Sequence, residues 1–240
     1  MLLVQSTKKV VGGVNNTTLA YGSNVTLGNL LCNTHVHWQT TPAAITVPSD
    51  TLGHSYQSMT AELASASGSV RLRSFWVANA SAGADTVNFD VNGTNTGDLT
   101  VVIAEFSDMA TAFPLDQSAT GAGTSTAAVS AATPTTAQAD ELLWGAMTHT
   151  GTSNFTIDET VGGTNGYSLV QENEGGAANM PIAVEYKTVS AVGTYTSSWT
   201  ISVSIEFICH VTAFKAAGPV SPVPAFQLSE VLPAVQQRMM

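Results

Sequence analysis

Short runs in which apolar and polar residues alternate recur along the chain. In Asn29 to Trp38, Leu30, Cys32, Val36 and Trp38 fall on one face. In Ser69 to Val77, Val70, Leu72 and Trp76 oppose Arg71 and Arg73. Asp85 to Val91 sets Val87, Phe89 and Val91 against Thr86, Asn88 and Asp90. Successive strand side chains point to opposite faces, so a period of two predicts half-buried strands. Leu99 to Phe106 is nearly all apolar and predicts a central strand. Glu141 to Thr148, Met180 to Val189 and Trp199 to Phe214 are further strand-like runs. Turn signals separate them: Pro48-Ser49-Asp50, Asn92-Gly93, Gly121 to Gly123, Gly162-Gly163 and Gly175-Gly176. Asn92-Gly93 is the sharpest, because a type I′ hairpin turn needs positive φ at both central residues.

No amphipathic helical period interrupts these runs, and the strand–helix alternation of a parallel α/β sheet is missing. The pattern therefore predicts an all-β protein, a single large antiparallel β-sandwich over residues 15–215. Residues 1–14 are expected to form an N-terminal arm and residues 216–240 an extended C-terminal tail. In that tail Pro219, Pro222 and Pro224 favour a polyproline-like path. Beyond them Leu228, Val231, Leu232 and Val235 make one apolar face of a short helix, with Ser229 as N-cap. Ser118 to Gln138 is almost entirely Ala, Thr, Ser and Gly. It reads as a long surface loop or as a weakly coded strand suited to close packing against a neighbour.

Composition narrows the function classes. The chain has 240 residues, only 10% of them charged, with a net charge of −10. Seven basic residues are scattered and form no stripe along which a nucleic-acid backbone could lie. Neither nucleic acid nor an anionic membrane surface is an expected partner. No run reaches the roughly 18 apolar residues of a membrane span. The N-terminal residues lack a secretory pattern, so synthesis in the cytoplasm is expected. Cys32 and Cys209 lie in strand runs and read as buried free thiols, with one disulfide as the alternative.

The candidate chemistry is thin. His35 and His37 share a strand face, a spacing that can ligate zinc or copper, with His210 as a distant third. Asp90 to Asp98 is rich in oxygen ligands but lacks the glycine and closing Glu of an EF-hand loop, and a hairpin loop accounts for the same residues. Glu105-Phe106, Glu185-Tyr186 and Glu206-Phe207 each place a carboxylate beside an aromatic, with the Glu expected to face out. Two such glutamates could serve glycoside hydrolysis, yet no catalytic motif accompanies them. Trp38, Trp76, Trp144 and Trp199 are expected to fill the core rather than stack on sugars. No catalytic residue, cofactor or resident metal is expected.

The order of local patterns carries a resemblance. Gly28-Asn29-Leu30-Leu31 opens a strand, and Ser49-Asp50-Thr51-Leu52-Gly53-His54-Ser55-Tyr56 follows. Then come Phe75-Trp76-Val77-Ala78-Asn79, Ala82 to Val87, Glu105-Phe106-Ser107, Leu115-Asp116 and Gln138 to Leu143. These resemble a jelly-roll-type sandwich domain of phage structural proteins and bacterial surface proteins. The resemblance covers Asn15 to Lys215, and its motifs are strand starts and turns. It implies a virion component, with a capsid decoration or cement protein as the leading reading. The expected partners are the major capsid protein, other virion subunits and copies of the chain itself, a trimer being favoured. A tail, baseplate or fibre part that binds host glycans is the alternative, as is a bacterial carbohydrate-binding or adhesion module. Partner contact is expected at Lys8 and Lys9 and at Pro222, Pro224, Phe226, Leu228, Val231 and Leu232.

Overall fold

The structure is a computed structural model, and it describes residues 1–93, 96–151, 157–158, 166–173 and 181–218. All regular structure among them is β. The strands are β1 (Leu2–Val14), β2 (Asn16–Ala20), β3 (Leu30–Trp38), β4 (Ser49–Asp50), β5 (Gln57–Ser58), β6 (Leu63–Ala64), β7 (Val70–Val77) and β8 (Thr86–Asp90). They continue with β9 (Gly97–Ser107), β10 (Leu115–Val129), β11 (Asp140–His149), β12 (Ile157–Asp158), β13 (Ser168–Asn173), β14 (Ile182–Ser190) and β15 (Ser198–Lys215). One sheet runs β1-β9-β3-β7-β5, with β6 also on β7; a second runs β10-β15-β11-β14-β13, with β12 on β15. A small sheet runs β2-β8-β4. Every pairing is antiparallel.

The chain is a β-sandwich with a third layer. On one face of the first sheet Leu30, Cys32, Leu72, Val102 and Phe106 meet Leu142, Trp144, Val184 and Phe214 of the second. On its other face Leu31, Phe75, Leu99, Val101 and Ile103 meet Val87 and Phe89 of the small sheet. Each large side chain fully buried in these layers stabilises the fold by about 1.5–3 kcal/mol. Burial on both faces explains why β9 reads as a nearly continuous apolar run: it sits between β1 and β3 with eight successive buried residues, Leu99 to Phe106. The alternation expected for β3, β7 and β8 is observed residue by residue.

Two expectations are corrected. Residues 1–14 are no arm: Leu2–Val14 pairs with β9 from Leu2↔Ser107 to Val14↔Gly97, with register shifts at Leu3/Gln5 and Val11/Val14, because an extended segment beside an apolar strand satisfies its backbone groups there. Asn92-Gly93 closes no hairpin. Both sides of β8 are taken, by β2 and β4, and the Val91 bridge to Ile45 extends that pairing, so the chain leaves for the central sheet. Of the two readings of Ser118 to Gln138, the strand is the one observed, from Ser118 to Val129 within β10. Of the tail only Ala216 to Gly218 is described, with Ala216 bridged to Met109; the helix expected over Leu228 to Val235 lies outside the described residues.

The outer face of the second sheet is covered by the chain's own ribbon. Ala128, Trp199 and Ile201 pack on Met147, Ala183, Phe207 and Cys209. Beyond β10, Ser130 and Thr133 donate their N–H groups to the carbonyls of Ser197 and Tyr195 at 3.0 and 2.9 Å. Gly121 makes the fold-back possible, since a Cβ there would lie 2.2 Å from the Val129 carbonyl oxygen and 3.0 Å from Cys209 Sγ. Gly121→Ala is therefore expected to lose about 1–3 kcal/mol in denaturant unfolding. Gly123→Ala, where the Cβ meets only Phe207 at 3.4 Å, is expected to be neutral or to gain up to about 1 kcal/mol.

Candidate functional site

Among the described residues, those expected to meet partners or metals are engaged inside the chain. Lys8 donates to the Glu172 carbonyl, and Lys9 to the Thr18 carbonyl at 3.0 Å. Pro222, Pro224, Phe226, Leu228, Val231 and Leu232 lie outside the described residues. His35 and His37 are both buried on the face of β3 that meets the small sheet. His35 sets its ring edge to Phe89 with centroids 5.6 Å apart. Burial, then the neighbouring His37, pushes its pKa down to about 3. His37 Nδ1 lies 3.2 Å from the Ala43 carbonyl, so that nitrogen carries the proton. His210 faces the opposite core and joins neither of them.

His210 ends a buried chain of hydrogen bonds that links the two large sheets. Trp144 Nε1–H donates to Thr34 Oγ1 at 3.2 Å, Thr34 and Ser74 hydroxyls are 2.8 Å apart, and Ser74 Oγ is 2.7 Å from His210 Nε2. His210 Nδ1 lies 3.3 Å from Thr212 Oγ1. An indole can only donate, so one polarity satisfies the whole run: Trp144 to Thr34 to Ser74 to Nε2, with the ring proton on Nδ1. Burial pushes His210 down to about 4 and keeps it neutral. A serine on an imidazole is the pairing of an activated nucleophile. Here both side chains are fully buried between the sheets, and the pair ties them together.

The glutamates do not face out as expected. Glu105 is fully buried under the third layer. Its Oε1 accepts from Thr26 N at 2.8 Å and Asn29 Nδ2 at 2.6 Å, and its Oε2 from Gln5 Nε2 at 2.5 Å. Glu206 accepts from the N–H groups of Ala66 and Ser67 and so pins the turn before β7. Glu185 accepts from the Ser197 hydroxyl, and burial raises it to about 7. Each carboxylate fastens a loop to a sheet. Trp144 and Trp199 are buried and Trp38 and Trp76 half-buried, all in core clusters as expected. Cys32 and Cys209 are buried free thiols. In the Asp90 to Asp98 loop, Asp90 accepts from Val91 N at 2.8 Å and Asp98 from Gly13 N at 3.2 Å. Thr94 and Asn95 lie outside the described residues.

One cluster was not anticipated. Asp50, His54 and Asp85 bring three potential ligand atoms within 4.8 Å of one another, and among the described residues no other such group of histidine, cysteine and acidic side chains occurs. Asp50 ends β4, and Gly53 at φ 73° turns the chain so that His54 folds back over it. The Asp50 Oδ1 accepts from His54 N at 3.0 Å; its Oδ2 lies 2.7 Å from His54 Nδ1 and accepts from the Tyr56 hydroxyl at 2.9 Å. The Ser81 N–H donates to His54 Nε2 at 2.9 Å, so the ring proton sits on Nδ1. Asp85 reaches in from the residue just before β8: its Oδ1 accepts from Thr51 Oγ1 at 3.1 Å, and its Oδ2 lies 3.7 Å from His54 Nδ1. Burial and the charge of Asp50 raise Asp85. Burial also acts to raise Asp50, but the hydrogen bonds from His54 and Tyr56 outweigh it and hold Asp50 below its usual value. Thr51 and Asp85 also line a cleft of about 530 Å³ with Tyr21, Ser23, Asn24 and Thr86. The signal in the sequence was Asp50-Thr-Leu-Gly-His54, a glycine turn placing a carboxylate four residues before an imidazole.

No protein-family model matches the chain, and no curated protein or solved structure matches it.

Proposed function

We propose that the chain is a structural subunit that works by assembly rather than catalysis, and that it decorates a phage head as a cement protein. The observation that carries this reading is β10. It is a fifteen-residue outer strand of the second sheet, paired by its ladder to β15 alone. No charged residue occurs from Gln117 to Ala139, and Thr120, Ala122, Gly123 and Thr124 are exposed. Outer strands of isolated proteins carry lysines, prolines or bulges that block strand addition. β10 has register shifts at Leu115/Gln117 and Ser125/Ala127, and its Thr120 carbonyl accepts from Ala131 N at 3.0 Å, but it carries no lysine or proline, and the uncharged stretch with small side chains at Ala122 to Thr124 suits close approach by another subunit. The buried carboxylates and the Trp144 to His210 chain serve the fold, which leaves surface contact as the chain's business. The resemblance read from Gly28 to Leu143 points the same way. The partners in this reading are copies of the chain, a trimer, and the shell protein beneath.

The test is a pair of lysines, Ala122→Lys with Thr124→Lys, on the exposed edge. Light scattering is expected to show an oligomer for the parent chain and a monomer for the variant. Thermal melting of each folded subunit is expected to change little, because both positions are exposed. A monomeric parent chain, or a variant that assembles and coats shells as the parent does, would refute the reading.

A further inference from the structure

We propose that Asp50, His54 and Asp85 bind a divalent transition-metal ion of the zinc class. The two carboxylates are held in the same way. Each has its Oδ1 fixed by a donor, His54 N for Asp50 and Thr51 Oγ1 for Asp85, and each turns its Oδ2 toward His54 Nδ1. Anchoring of ligand side chains by outer hydrogen bonds is how metal sites are held in shape. The second observation is Asp85 Oδ2. Asp85 is 4% exposed, and this oxygen has no hydrogen-bond partner. A buried carboxylate oxygen with no donor, beside a second carboxylate, is costly unless a cation meets it.

The geometry suits such an ion. Zinc takes nitrogen and oxygen ligands at about 2.0–2.2 Å, which sets tetrahedral ligands about 3.4 Å apart. The Nδ1 atom is 2.7 Å from Asp50 Oδ2 and 3.7 Å from Asp85 Oδ2, so side-chain shifts of about 1 Å bring the three to one centre. One nitrogen and two carboxylates leave a fourth position for water. Calcium, which takes about 6–8 oxygens, is poorly served by this set.

Metal entry has a signature in the ring. The metal takes the place of the Nδ1 proton, which leaves to solvent, while Nε2 takes up a proton from solvent, so the ring stays neutral as the Nε2–H form with no net proton change. That breaks the Ser81 N–H bond to Nε2. The cost is small, since Ser81 is exposed and its N–H can turn to water. A loosely held surface ion would leave the tautomer unchanged.

The experiment uses the full chain, zinc chloride, calorimetry and ¹⁵N spectra of the histidine rings. One equivalent of zinc is expected to bind, to raise the melting temperature reversibly with chelator, and to move His54 from the Nδ1–H to the Nε2–H form. Asp85→Asn is expected to weaken binding at least tenfold and His54→Gln to abolish it, with calcium chloride producing no change in the parent chain. Zinc that fails to bind, binds equally to His54→Gln, or binds without changing the His54 tautomer overturns the proposal. The ring spectra of the parent chain decide the matter even where a variant does not fold.

Discussion

Glu105→Ala is expected to lower the unfolding free energy by about 3–5 kcal/mol. The carboxylate is fully buried and accepts from Thr26 N, Asn29 Nδ2 and Gln5 Nε2. Truncation leaves the buried Asn29 amide and Thr26 N without this acceptor, while Gln5 Nε2 keeps only the Ser23 carbonyl at 3.3 Å. Gln5 cannot turn its amide to compensate, because its Oε1 already accepts from Ser23 N and Ser23 Oγ at 3.0 and 3.1 Å. Glu105→Gln keeps the shape but presents an NH₂ group to donors, so an intermediate loss of about 1–3 kcal/mol is expected. Denaturant unfolding measures both losses. Amide exchange adds a local readout: Val25, whose N–H donates to Gly83 at 2.8 Å, is expected to lose protection before the β3 amides do. A loss below 1 kcal/mol for Glu105→Ala would mean that the loop over residues 21–29 is held by something else.

Trp144→Ala is expected to cost about 3–5 kcal/mol. Trp144 is the largest fully buried side chain, stands edge-on to Phe106 with centroids 6.0 Å apart, and begins the hydrogen-bond chain to His210. The far end of that chain makes stability depend on pH. His210 titrates at about 4 in the fold, against 6.5 when unfolded. Between those values the unfolded chain takes up a proton that the native ring refuses, so stability falls as pH drops below 6.5. The slope is about 1.4 kcal/mol per pH unit, for a total of about 3 kcal/mol by pH 4. His210→Gln removes this dependence. The stability gap between the parent chain and the variant is therefore expected to shrink by that amount between pH 7 and pH 4 in unfolding curves. A constant gap would mean that His210 already carries charge in the fold.

The alternation of β3, β7 and β8 was readable because the large apolar side chains of each strand gather on one face and polar or charged residues interrupt the other, even where, as in β3 and β7, that second face is also covered. The apolar run of β9 was readable for the opposite reason, burial on both faces. What the pattern could not carry was the partner of each strand. Asn92-Gly93 has hairpin chemistry, but β8 has both neighbours already, and pairing across 70 residues of chain leaves no local trace. The third layer was hidden for the same reason, and with it the burial of Glu105: a period of two says which residues share a face and is silent on whether a further sheet covers the polar one. β1 read as an arm because its alternation is weak around Lys8 and Lys9. The Asp50, His54 and Asp85 cluster joins a turn to a strand 31 residues further on, and only the Asp50 to His54 spacing was visible along the chain.

The proposed shell role is tested by quantitative mass spectrometry of purified particles of the phage to which that proposal assigns the chain. The account predicts a copy number that scales with the number of shell subunits. A few copies per particle, or none, would contradict it.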